Sequence, residues 1–100
     1  CHGDFHPWNI HVSADEIMIL DWLDACSGTP AADVSRSYVL IHHVDPMAAA
    51  DYVEAYARLG GTTVADIMAW LPPVAAARLA ERIPAETEGL LRLAGVPRER

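Results

Sequence analysis

Two four-residue runs near the start of the chain are built for strands, and everything after residue 32 is spaced for helices. Ile10 to Ser13 and Ile17 to Leu20 are rich in β-forming residues, with Ala14, Asp15 and Glu16 between them as the turn. If Ser13 faces Ile17, then Val12 faces Met18, His11 faces Ile19 and Ile10 faces Leu20. One face of this hairpin is then Ile10, Val12, Met18 and Leu20, wholly apolar. The other is His11, Ser13, Ile17 and Ile19, which is mixed. One buried and one half-exposed face suits an antiparallel pair. A further step of the same register sets Asn9 opposite Asp21, with Cα atoms roughly 4.5–5.5 Å apart.

From Leu23 to Ala32 the chain contains Ser27-Gly28-Thr29-Pro30, a loop signal. Asp33 is expected to cap a helix running to about His43, or to face back and anchor the loop before the hairpin. Pro46 opens a second helix running to Leu59, stopped by Gly60-Gly61. Thr63 caps a segment through Leu71, Pro72-Pro73 breaks it, and Val74 to Arg82 forms a further helix. A last helix runs from Ala85 or Glu86 to Leu93 and ends at Gly95 and Pro97. Tyr52, Ala55, Tyr56 and Leu59 recur at helical spacing and are expected to form a buried stripe. The runs Ala48-Ala49-Ala50 and Ala75-Ala76-Ala77 allow close helix packing. His42 and His43, near a helix C-terminus, suit the partial negative charge there. The predicted fold class is α+β, mostly α, with residues 1–33 carrying loop and hairpin and 34–95 a helical subdomain.

Composition narrows the function. A chain of 100 residues with 52% apolar content supports one domain with a modest core. A formal charge of −7 argues against nucleic acid or an anionic membrane as partner and suits a cationic small molecule. No apolar run approaches the ~18 residues of a membrane-spanning helix. The chain opens on Cys1 without a charged-then-apolar leader, and Cys1 and Cys26 fit neither a disulfide framework nor a zinc ribbon. Free thiols in a cytoplasmic protein are expected. All seven basic residues are arginines, so no lysine is present to pair with a nucleotide's phosphates.

The chemistry concentrates in His2-Gly3-Asp4-Phe5-His6-Pro7-Trp8-Asn9 and in Ile17-Met18-Ile19-Leu20-Asp21-Trp22. Asp-x-x-x-x-Asn is the spacing of a kinase catalytic loop, and a second aspartate follows where the hairpin ends. Asp4 is the candidate base that orients and deprotonates a hydroxyl. Asn9 and Asp21 are the candidate Mg²⁺ ligands, one neutral oxygen and one charged, enough for a cation that keeps water and phosphate in its shell. Taken alone, Asp4 reads as a turn residue beside Gly3, and Asn9 and Asp21 as strand-end residues bonding the backbone. Their combination on one hairpin favours the site. His2 is expected to support the catalytic loop, His6 to make a loop hydrogen bond beside the rigid Pro7, and Asp33 to cap, anchor, or do both.

These residues resemble the C-terminal part of the aminoglycoside phosphotransferase family, the kinase-like group that includes choline and related small-molecule kinases. His2-Gly3-Asp4 with Asn9 matches its catalytic loop, Ile19-Leu20-Asp21-Trp22 its metal-binding segment, and Gly28, Pro30 and Asp33 the stretch that follows. The likeness is carried by residues 1–44, and by helix pattern alone over 45–95. It implies the helical C-lobe of the protein-kinase-like fold, Asp4 as base, Asn9 and Asp21 on Mg²⁺, and ATP or GTP as phosphoryl donor to a small-molecule hydroxyl. Gly3 in place of the protein-kinase arginine, and Trp22-Leu23 in place of Phe-Gly, point away from protein substrates. An N-terminal nucleotide-binding lobe of the same protein is expected as partner, so this chain by itself is expected to be inactive. Two readings compete: a metal-dependent hydrolase using His2, Asp4 and His6, for which only Asp21 is a further nearby ligand, and a non-catalytic, degenerate fragment.

Overall fold

The fold is that of a computed structural model, described over residues 1–95. A 3₁₀ turn at Pro7–Asn9 leads into β1 (Ile10–Val12) and β2 (Ile17–Ile19), an antiparallel hairpin. Five helices follow: α1 (Pro30–His42), α2 (Pro46–Gly60), α3 (Val64–Ala69), α4 (Leu71–Leu79) and α5 (Thr87–Leu93), the last preceded by a 3₁₀ turn at Pro84–Glu86. The mostly helical α+β class is as expected. The expected stop at Pro97 lies outside the described residues. Among those described, no helix is long and apolar enough to cross a membrane.

The helix boundaries follow from local chemistry. Asp45 accepts from the Met47 and Ala48 amides and Pro46 occupies the first turn of α2, where its missing N–H costs nothing. Gly61 ends that helix with φ +73, a left-handed position open to glycine. The Thr63 hydroxyl accepts from the Asp66 amide at the start of α3. Several boundaries differ from expectation, α4 for one ending at Leu79 and not at Arg82. Pro72 and Pro73 lie in the first turn of α4 instead of breaking the chain before it, since neither needs an amide hydrogen there. Helix α1 begins at Pro30 behind Thr29, so Asp33 is a first-turn residue and not the N-cap.

Helix α1 is the hub, packing on α2, α3 and α4, with α5 resting on α4. Its inward face joins two clusters. Ala31, Val34, Val53 and Ile67 form one; Val39, Leu71, Ala75 and Leu90 form the other, and Tyr38 and Met68 touch both. Ala49 and Ala75 are fully buried, as close helix packing requires. The buried Ser35 hydroxyl donates to the Ile67 carbonyl, a bond that offsets the cost of burying a polar group. The expected stripe on α2 is rotated: Ala49 and Val53 are its buried positions, Tyr52 and Tyr56 flank them, and Leu59 is 89% exposed. At the end of α1, burial first, then Arg92 and His43, push the His42 imidazole below its usual pKa, opposite to the charge its helix end would favour.

The hairpin register also departs from expectation. Ile10 pairs with Ile19, His11 with Met18 and Val12 with Ile17, one step away from the predicted pairing. The Ser13 amide donates to the Glu16 carbonyl at 2.9 Å, closing a two-residue loop at Ala14-Asp15 where three had been expected. Because Ile17, Met18, Ile19 and Leu20 are apolar at every position, either register yields an apolar face, and the turn decides. That face is Ile10, Val12, Ile17 and Ile19. Contrary to expectation it is not buried: Val12, Ile17 and Ile19 are exposed, as are Met18 and Leu20 on the other face and Trp22 and Leu23 beyond it. The hairpin packs chiefly on itself, since neither strand makes extensive contact with a helix.

Candidate functional site

The loop carrying Asp4 is clamped to α1 by backbone bonds. The His2 and Gly3 amides donate to the two Asp33 carboxylate oxygens at 3.3 and 2.9 Å. The Arg36 guanidinium donates through Nε to the Gly3 carbonyl. Asp33 and Arg36 stand three apart on one helix, hence on one face, and together hold both ends of the Gly3 peptide. Gly3 itself has φ +88, and a Cβ there would fall 2.4 Å from the Asp24 carbonyl oxygen. The sharp turn and the close approach of the Asp24 backbone both demand glycine.

His2 joins this loop to the segment after the hairpin. It is buried, its Nδ1 accepts from the Asp4 amide at 3.1 Å, and its Nε2 lies 2.8 Å from the Leu20 carbonyl. A backbone N–H can only donate, so Nδ1 is unprotonated and Nε2 carries the hydrogen given to Leu20. The Trp22 ring lies 4.5 Å from the imidazole, centroid to centroid, and its indole N–H donates to the Ile19 carbonyl.

Asp4 and Asn9 come together directly. The Asn9 amide nitrogen donates to the Asp4 carbonyl at 2.9 Å and lies 3.3 Å from its Oδ2. Two oxygen acceptors fix which end of the amide is nitrogen, and the amide oxygen is therefore turned the other way. His6 Nε2 is 3.3 Å from the same nitrogen and 3.7 Å from Asp4 Oδ1. The other ring nitrogen, Nδ1, is buried without a hydrogen-bond partner among the described residues. Arg36 Nη2 stands 3.9 Å from Asp4 Oδ1 and Nη1 3.6 Å from Glu81, so a cation flanks the candidate base.

Asp21 does not take the expected place opposite Asn9 but follows that position by one residue. Asn9 lies opposite Leu20, whose amide donates to the Asn9 carbonyl at 2.7 Å. Strand alternation would send the next side chain to the other face, but it ends at Asp21, which has φ +59 and an exposed side chain. A non-glycine residue held there costs about 1–2 kcal/mol, strain of the kind that collects at functional sites. Asn9 and Asp21 offer an amide oxygen and a carboxylate, hard donors suited to Mg²⁺. Among the described residues, no three or more His, Cys, Asp or Glu side chains gather as a metal cluster, so the hydrolase reading gains no support.

Sequence reasoning missed Arg36. Its signal was the i, i+3 spacing from Asp33, which places any partner of Asp33 within its reach. A cleft of about 530 Å³ opens beside the loop, bordered by Gly3, Asp24, Thr29, Asp33, Arg36 and Glu81. Among the acids of the helices, Glu81 borders this cleft and Asp66 a second one of about 470 Å³. Asp45, Asp51 and Glu54 line neither.

The Asp-x-x-x-x-Asn loop is thus held to helix α1 and tied through His2 to the residue before Asp21. Residues 1–71 match the model of the phosphotransferase enzyme family, and the chain belongs to that family. The likeness to aminoglycoside phosphotransferases drawn from the motifs is thereby borne out. No curated protein and no solved structure matches the chain.

Proposed function

We propose that this chain is the catalytic half of a nucleotide-dependent small-molecule kinase, with the architecture of a protein-kinase-like C-lobe. Asp4 accepts the proton of a substrate hydroxyl and orients it in line with the γ-phosphoryl group. Asn9, through its amide nitrogen, keeps the Asp4 loop in place while its oxygen, with the Asp21 carboxylate, is available for Mg²⁺. The cation, when bound, would neutralise charge on the phosphates of ATP or GTP, the main requirement of this reaction. His2 and Asp33 are positioning residues: one ties the Asp4 amide to the Leu20 carbonyl, the other the loop amides to α1.

The observation that carries this reading is the Asn9–Asp4 contact, coupled through His2 to the residue preceding Asp21. A nucleotide-binding lobe, supplying the lysine this chain lacks, fits the exposed apolar hairpin of Val12, Ile17, Ile19, Trp22 and Leu23. The acceptor is a small hydroxyl compound, and the acidic chain suits one bearing a cation. A cytoplasmic setting agrees with the nucleotide donor.

The test is phosphoryl transfer by the protein completed with that lobe, to a panel of amines, amino sugars and alcohols with ATP and GTP. Asp4→Ala is expected to lower kcat on the order of 10²- to 10⁴-fold with nucleotide affinity kept. Asp21→Ala weakens Mg²⁺–nucleotide binding as well. Wild-type turnover by Asp4→Ala would overturn the assignment.

A further inference from the structure

The fold sets the two cysteines against each other across 25 positions of sequence. The Cys1 nitrogen donates to the Cys26 carbonyl at 2.9 Å, and the Cys26 nitrogen donates to the Cys1 carbonyl at 3.0 Å. Such a reciprocal exchange is the hydrogen-bonded pair of an antiparallel ladder. In a regular ladder such a pair has Cα atoms about 5.5 Å apart and both side chains on the same side. Disulfides span Cα separations of about 4.4–6.8 Å, most often about 5.5–6 Å. Both thiols are free and exposed, and both border the cleft beside Gly3.

We infer that Cys1 and Cys26 form an oxidisable dithiol, a modification site that closes to an intramolecular disulfide on meeting a low-molecular-weight disulfide such as oxidised glutathione. One cysteine thiolate attacks a sulfur of the oxidant, whose S–S bond breaks to release one glutathione thiolate and leave a mixed disulfide. The second cysteine thiolate attacks the protein-side sulfur and releases the other glutathione. Two protein thiols are oxidised, one glutathione disulfide is reduced to two thiols, and the two protein protons pass to the released thiolates. The bond ties the loop over 23–29 to the residue preceding His2. It reinforces a contact the backbone already makes, because the Asp24 carbonyl of that loop lies against Gly3.

The test equilibrates the full chain at graded ratios of reduced to oxidised glutathione, quenches with acid, alkylates, and cleaves with chymotrypsin. Cleavage after Trp8 and Trp22 puts the two cysteines in separate peptides. The expected product is a monomer two hydrogens lighter, its Cys1 and Cys26 peptides cross-linked and separated again by dithiothreitol. Oxidation is expected to raise the unfolding midpoint on the order of 10 °C, and Cys26→Ser to abolish both effects. Glutathione adducts without a cross-link, disulfide-linked dimers, or a cross-link that lowers the midpoint would each overturn the inference. The mapping uses the unsubstituted chain, so it stands whether or not Cys26→Ser folds. It requires no phosphoryl transfer, so its failure is separate from failure of the kinase reading.

Discussion

Replacing Gly3 by alanine tests whether the catalytic loop is held as tightly as its contacts imply. Two costs are separable. The backbone at φ +88 disfavours any L side chain by about 1–2 kcal/mol. The added Cβ must also move from 2.4 Å to at least 3.0 Å from the Asp24 carbonyl oxygen. Gly3 cannot simply retreat, because its amide is held by Asp33 and its carbonyl by Arg36. Forcing an extra methyl into such a site costs about 1–3 kcal/mol, for a total of about 2–5 kcal/mol. Gly61→Ala is the matched control: φ is +73 and nothing lies within 4 Å of the new Cβ, so only the first cost applies. Denaturant unfolding of both variants, with unchanged dependence on denaturant, should show Gly3→Ala worse by about 1–3 kcal/mol. Equal losses would refute the clamp.

Three further outcomes are expected. Arg78 grips Glu86 with bonds of 2.9 and 3.1 Å, both side chains 13% exposed, and its hydrogen bonds hold the Glu86 carboxyl below the usual carboxylate range. The folded pKa lies below the unfolded one, so this stabilisation is complete above the ordinary range and lost as pH falls through the folded value. Glu86→Gln should cost about 1–2 kcal/mol at neutral pH and flatten the acid limb of thermal melts. His42, depressed below 6.5 by burial and then by Arg92 and His43, is protonated first in the unfolded chain. Its contribution is present above about pH 6.5 and lost as pH falls, and His42→Gln should reduce the drop seen in melts across that window. Asp33→Asn sets an amide NH₂ against a backbone N–H donor; a loss of about 2 kcal/mol is expected, with kcat falling more than nucleotide affinity in the completed enzyme.

Cap residues and turn glycines act over three or four positions, and the chain's pattern was a sound guide wherever such local chemistry governs. Pro46 at the start of α2, Gly61 at its end and Thr63 at the head of α3 are all where their side chains and backbone freedom require. The Asp4–Asn9 pairing is nearly as local, since a single 3₁₀ turn folds the five residues back on themselves. The hairpin was harder. Its second strand is apolar on both faces, so no burial pattern could choose between registers differing by one residue, and the two-residue turn chose.

Motif spacing and residue type were thus sufficient for the family and for the mostly helical α+β class, because both rest on residue type at short range. The clamp of Asp33 and Arg36 on Gly3, the bridge from His2 to Leu20, and the meeting of Cys1 with Cys26 required the folded chain. Each joins groups 18 to 33 positions apart. Such contacts depend on how α1, the hairpin end and the following loop pack around the opening residues, which is set by packed volume and hydrogen-bond geometry that no linear pattern carries.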